Sequence, residues 1–233
     1  MPDAWLGKAS SRPRVSTASK SPSAPLSDGF FILDAVRNSN HDVLNLFLNK
    51  DRSLAFTRSL EASEHGASAM HLATCDKIAL SLLQAAREGA MFSNGSDPAS
   101  KLVNSLDAKG RTPLMMSCKA ANYPLTKLLL RNGADPLPSD DKRMNVLHYA
   151  AEGGNAGITL LLIKSVGLWG KKGPQASQPK ASTVSRRSQG VISSEAAARF
   201  VNAADLMGRT PLHYSVFYGS LEATRALIGA LID

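Results

Sequence analysis

Histidine and cysteine are the residue types in this 233-residue chain that could hold a zinc ion or pair as base and nucleophile. The candidates are His71, His148 and His213, with Cys75 and Cys118. Each histidine occupies the same place in a repeated stretch: SAMHLATCDK from Ser68, NVLHYAAEGG from Asn145 and TPLHYSVFYG from Thr210. Residues recurring at one position of successive units stand about one unit apart, whereas metal ligands must converge within a few ångströms. A further copy, TPLMMSCKAA from Thr112, has Met115 in place of the histidine. The two cysteines have no metal-ligand spacing and are too few for a disulfide scaffold, which points to a reducing compartment. There is no G-x-S-x-G, H-E-x-x-H or Walker A sequence, and the glycines are spread one per turn instead of clustering round a phosphate. Asp140-Asp141 reads as a solvated pair in an inter-repeat turn. The expectation is a non-enzymatic chain with no catalytic residue, no cofactor and no metal site.

The same four segments show what positions these side chains. Each begins with Ser, Thr or Asn, whose side chain can accept from a backbone N–H two or three residues on. Pro113 and Pro211 follow at the first helical position, where a missing N–H costs nothing. Helix starts are therefore predicted after Ser68, Thr112, Asn145 and Thr210. A short turn is expected at Lys77, Ala121, Gly154 and Gly219. A second helix follows, filled by runs such as Leu128-Leu129-Leu130 and Leu160-Leu161-Leu162-Ile163. Gly89-Ala90 and Gly133-Ala134 mark its end. Upstream, Asp107-Ala-Lys-Gly110 and Asp205-Leu-Met-Gly208 read as tight turns with Gly where positive φ is needed.

The unit is thus turn, helix, turn, helix. Its histidine position recurs with gaps of 44, 33 and 65 residues. A period of 33 is that of ankyrin repeats, and TPLHYS is close to their T-P-L-H-x-A signature. The chain resembles the ankyrin-repeat family over roughly residues 29–233. The fold class implied is an all-α ankyrin-repeat solenoid of about five repeats, its helix-turn-helix units carrying turn or hairpin tips. The long gaps become insertions near 91–101 and 168–199. Residues 35–51 have the helix-turn-helix spacing with Leu33 at the histidine position, and are assigned as an N-terminal capping unit. SSEAAARFV, with a Ser cap before helix formers, predicts a short helix over 193–201.

The formal net charge is +8, with 43% hydrophobic and 20% charged residues. Segmenting it changes its meaning. Lys8, Arg12, Arg14 and Lys20 face only Asp3 in residues 1–27. Seven cations face only Glu195 in 163–200, so the remainder is close to neutral. Both basic stretches are rich in Ser, Pro, Gly and Gln, a composition that buries too little apolar area to offset ordering. They are read as a disordered basic arm (1–28) and a basic, mostly disordered insertion. No apolar run reaches the ~18–20 residues of a membrane-spanning helix, and the start lacks a signal-type apolar region. A cytoplasmic location is expected, with a nuclear one as the alternative. Lys171-Lys172 and Arg186-Arg187 loosely resemble a bipartite import signal. Arg186-Arg187-Ser188 and Ser21-Pro22 look like kinase targets. A solvated linker is the plainer reading of both.

The resemblance implies that the histidines join hydrogen bonds with the cap residue and neighbouring backbone, a network that Met115 weakens. It makes Cys118 an inert core residue and leaves Cys75 facing a groove, where a reactive or palmitoylated thiol is the alternative reading. It further implies a protein partner on the concave face. Carried onto this frame, the partner-binding candidates are Lys109, Arg111 and Lys119, then Met144 and Glu152, then Leu206, Met207, Arg209, Phe217 and Tyr218. The last cluster stands out because apolar and aromatic side chains hold positions normally given to solvent, and aromatics and Arg dominate binding hot spots. A further repeat or the chain terminus covering them is the rival explanation. Leu231-Ile232-Asp233 stands where the frame has Gly-Ala-Asp, so a region of a larger polypeptide, a truncated product or a covered end is expected. The function expected is a protein–protein interaction or adaptor module. The alternatives are a regulatory segment of a larger enzyme, and association with nucleic acid or anionic lipid through the basic arm and insertion.

Overall fold

The computed structural model describes residues 28–89, 97–172 and 194–232. The basic arm, the centre of the first insertion and the basic stretch with its import-like and kinase-like motifs lie outside these residues, apart from Lys171-Lys172. Twelve α-helices and two short 3-10 helices, Arg52–Phe56 and Ala62–Glu64, run through the described residues. The α-helices are α1 (Asp28–Arg37), α2 (His41–Lys50), α3 (Ala69–Leu72), α4 (Asp76–Gly89), α5 (Pro98–Val103) and α6 (Pro113–Lys119). There follow α7 (Tyr123–Arg131), α8 (Val146–Gly153), α9 (Ala156–Lys172), α10 (Ser194–Val201), α11 (Pro211–Phe217) and α12 (Leu221–Ile232). Among the described residues there is no strand, only isolated bridges Arg58–Ser68 and Ser139–Asn145 beside two turn tips.

The helices stack in two rows. α1, α3, α6, α8 and α11 form an inner row, and α2, α4, α7, α9 and α12 an outer one, each packed on its neighbours in order. Five units result. Leu114, Cys118, Leu147 and Ala151 of the inner row are fully buried, as are Leu129, Leu162 and Leu227 of the outer row. Leu33 sits buried at the histidine position of the first unit. Caps set the helix starts: Thr112 Oγ1 accepts from Met115 N at 3.2 Å, and Asn145 Oδ1 from Leu147 N at 3.1 Å. The outer helices use Asn122 and Asn155 in the same way, toward Leu125 N and Ile158 N. Each such cap contributes about 1 kcal/mol.

Two expectations shift. The turn expected at Lys77 comes earlier, because Ala73 takes an extended conformation and α4 is under way by Asp76. The inner helix of the second unit is therefore a single turn. The edges of both insertions carry more helix than expected: α5 occupies 98–103 and α9 runs through Lys172, while α10, Ser194–Val201, lies where a short helix was expected. α5 and α10 each end four residues before a turn aspartate, Asp107 or Asp205. They cover the joints with Leu102 and Val103, or Phe200 and Val201.

The unit joints are tight. A Cβ on Gly153 would lie 2.3 Å from the Cys118 carbonyl oxygen and 2.9 Å from that of Lys119, so α6 and α8 pack backbone to backbone there. Two joints are also bridged by a histidine. Ser68 N donates to His71 Nδ1 at 3.1 Å, which leaves Nε2 to carry the proton and donate to the Arg111 carbonyl at 2.9 Å. His148 repeats this, taking Asn145 N at 3.1 Å and giving to the Arg209 carbonyl at 3.1 Å. Met115, whose own N–H is capped by Thr112, has no ring nitrogen to reach the next unit, so the joint after the third unit lacks the bridge.

Gly153→Ala should destabilise the fold by about 1–3 kcal/mol, the usual cost of overpacking, measured by urea denaturation. Burial holds the His71 and His148 pKa below the ordinary histidine value, the bonds to the Arg111 and Arg209 carbonyls opposing it only in part. The unfolded chain therefore takes up protons that the native joints refuse. The stability these rings supply is complete above about pH 6.5 and is lost as pH falls below it. Melting temperature should decline from pH 7 to 5, and the His71→Gln, His148→Gln double variant should flatten that decline.

Candidate partner-binding groove

Three turn tips project beside the inner helices, each organised by a carboxylate. Asp107 Oδ1 accepts from Lys109 N at 2.9 Å and Arg111 N at 2.8 Å. Asp140 does the same for Lys142 and Met144, and Asp205 for Met207 and Arg209. Asp140 is thus buried in its turn, a correction to its reading as a solvated pair with Asp141; only Asp141 is exposed. The tips are themselves joined. Ala108 N donates to His65 O at 2.7 Å, Asp141 N to Lys109 O at 3.1 Å, and Leu206 N to Lys142 O at 3.0 Å.

The second oxygen of each carboxylate fixes a groove side chain. Asp107 Oδ2 pairs with the Arg111 guanidinium at 2.6 Å. Asp205 Oδ2 holds Arg209 at 2.8 Å and the Tyr214 hydroxyl at 2.8 Å. In the middle unit Met144 replaces the arginine, and Tyr149 OH donates to Asp140 Oδ2 at 2.7 Å. Burial opposes ionisation of Asp205. The Arg209 N–H, its guanidinium and the Tyr214 hydroxyl together outweigh it and hold the carboxyl well below the usual range. Burial and the bond to Asp205 push Tyr214 up to about 12, so its hydroxyl stays a donor. Arg209 lies 4.9 Å over the Tyr214 ring, and Tyr218 stacks on the same ring at 6.3 Å.

Seven of the ten candidates line one groove of about 470 Å³ across units three to five: Lys109, Arg111, Lys119, Met144, Glu152, Arg209 and Tyr218. Lys119 and Glu152 pair across adjacent inner helices at 2.8 Å. Met144 departs from the expectation of an open contact residue. It is only 6% exposed and belongs to the core, because the Tyr214 hydroxyl packs on its sulfur at 3.6 Å. Phe217, 81% exposed, meets Tyr218 edge to face at 5.1 Å. The two rings join Arg209, His213 and Tyr214 around a second hollow of about 250 Å³. Leu206 and Met207 line neither cavity and stand exposed on the last tip.

Sequence reasoning passed over Tyr149 and Tyr214, which form the groove floor. The signal was present as an aspartate followed nine residues later by tyrosine, in Asp140–Tyr149 and Asp205–Tyr214 alike. Cys118 is buried and its thiol is pushed up to about 12 by desolvation, while Cys75 is half-buried. Among the described residues, no three His, Cys, Asp or Glu side chains gather as a metal site requires, and no helix is long and apolar enough to cross a membrane.

Comparison with known proteins agrees with this architecture. The three-copy ankyrin-repeat family pattern matches residues 82–170, and the single ankyrin repeat matches 207–233. Human inversin is 30% identical over 184 residues, 78% of this chain and 16% of inversin. Mouse inversin is 31% identical over 125 residues, 52% of this chain and 12% of that protein. The transient receptor potential channel pyrexia of Drosophila melanogaster is 44% identical over 62 residues, 26% of this chain and 6% of the channel. The chain therefore spans only a small part of the curated relatives it matches.

The groove depends on its carboxylates. Asp205→Ala leaves Arg209, Tyr214 and two backbone N–H groups without their acceptor. It should cost about 1–3 kcal/mol in urea denaturation, the usual cost of leaving buried hydrogen-bond donors unsatisfied.

Proposed function

This chain belongs to the ankyrin-repeat family, and from that premise we propose that it is a non-catalytic adaptor gripping a protein partner in the groove of units three to five. Ankyrin repeats are generally protein-interaction modules. The observation that carries the reading is the aromatic end of the groove. Phe217 is open to solvent, Tyr218 is half open, and Arg209 is clamped between Asp205 and the Tyr214 ring. Large rings and arginine held rigidly at a concave edge have the composition of a binding hot spot, because little side-chain entropy is lost when a partner covers them.

The polar part of the groove supports recognition over chemistry. Arg111, Lys119, Glu152 and Arg209 are committed to ion pairs, and the Asp140 and Asp205 carboxylates each accept several hydrogen bonds. Lys109 and Lys142, on successive tips, supply positive charge at the rim. The basic arm and insertion take no part in this reading.

Affinity capture with the full chain, followed by mass spectrometry and titration of the captured partner, tests it. The Phe217→Ala, Tyr218→Ala double variant should weaken that partner by about 2–4 kcal/mol, roughly 30- to 1000-fold, with the fold intact by circular dichroism. Equal binding by the double variant would refute the assignment.

A further inference from the structure

The charged side chains of units three and four lie in two layers. The acids are beneath: Asp107 and Asp140 are buried in their turns, and Glu152 is mostly covered. The cations are outward, with Lys109, Lys119 and Lys142 all exposed. Among the described residues lining this groove, Asp141 is the one exposed acid. Its carboxylate lies down against Gly110, 3.0 Å from where a Cβ would stand there. These units are flanked by others on both sides, so the exposure does not come from an end of the stack.

Two of the cations are uncommitted. Arg111 is spent on Asp107 at 2.6 Å and Lys119 on Glu152 at 2.8 Å. The Lys109 and Lys142 ammonium groups meet no ion-pair or hydrogen-bond partner among the described residues. They ride on adjacent ordered tips, joined where Asp141 N donates to Lys109 O at 3.1 Å. The nearest buried acid cannot swing out to neutralise them. Asp140 is already held by Lys142 N, Met144 N and the Tyr149 hydroxyl. An approaching partner therefore meets the two ammonium groups before it meets the acids below them.

The spacing of the charges discriminates between anionic partners. A nucleic-acid strand carries a phosphate at every nucleotide, so it would set like charge against Asp141 and Glu152 while meeting the lysines. A polypeptide can place carboxylates opposite the lysines and an uncharged residue opposite Asp141, which then accepts a backbone N–H. We propose that the occupant of the groove is an acidic polypeptide segment, with two of its carboxylates on Lys109 and Lys142 and an uncharged stretch passing Asp141. This rests on the adaptor reading, whose groove it shares, and adds the chemistry of the segment. Lysine is a point charge on a flexible stem, so the selection is for charge pattern more than for one exact sequence.

Random dodecapeptides displayed on phage and panned on the full chain are the probe. Enriched peptides should carry two or more Asp or Glu residues. The leading one, synthesised with a fluorophore, should bind less tightly as salt rises. The Lys109→Glu, Lys142→Glu double variant, at exposed tip sites, should weaken it at least tenfold with the fold intact by circular dichroism. Replacing the peptide's acids by lysine should restore binding to that variant. The Lys101→Glu, Lys164→Glu variant, with the same change of net charge outside the groove, should bind as the parent does. Acidic peptides lost with the two tip lysines but kept by the Phe217→Ala, Tyr218→Ala variant would uphold this proposal without the aromatic hot spot. Neutral or basic peptides held by Phe217 and Tyr218 would overturn it while leaving the adaptor reading in place. Failure to enrich any peptide would also overturn it, as would an acidic peptide indifferent to the tip lysines. So would tighter binding of a single-stranded thymidine oligonucleotide that the tip-lysine variant abolishes, the site then belonging to nucleic acid.

Discussion

A pair of helices four to seventeen residues long has no interior of its own. Each of the three middle units buries one side against the unit before and one against the unit after, so the core is a row of joints. The joints explain the residue choices. Cys118 and Ala151 are small because inner helices meet there, and Gly153 has no side chain because the Cys118 carbonyl occupies the space. Stability in such a stack is a sum of unit and nearest-neighbour terms. The histidine that closes its own helix start and reaches the next unit couples those two terms through one ring.

Function follows from the same economy. A buried aspartate at each tip satisfies the backbone of its turn with one oxygen and spends the other on a groove side chain. The carboxylate that makes the turn rigid therefore also aims arginine or tyrosine at the concave side. A partner meeting this surface finds side chains already ordered, and rigid presentation lowers the entropic cost of association. The middle unit shows the alternative within one chain: without an arginine at position 144, tyrosine takes the acid and methionine joins the core.

Much of this was legible beforehand because caps and turns are local. Ser68, Thr112, Asn145 and Thr210 act on N–H groups two or three residues away, so their spacing could be read without knowing what lay across the joint. Asp140 was misread because its partner tyrosine lies nine residues on, round a helix turn. Met144 was misread because its burial comes from Tyr214, seventy residues distant. The early turn at Ala73 has a similar cause, since a one-turn helix is decided by its neighbours more than by its own propensity.

Sequence alone determined the unit, its count, the helix starts and the near-neutral balance of the repeat body, because those rest on backbone chemistry within a few residues. Tertiary structure decided which candidates share a groove, that Met144 joins the core, and which surfaces stay open. Those depend on distances between residues thirty or more positions apart, set by how closely one helix backbone lies on the next. Val216 and Ala151 hold the same position in their units; only the stack makes one a core residue and the other a surface.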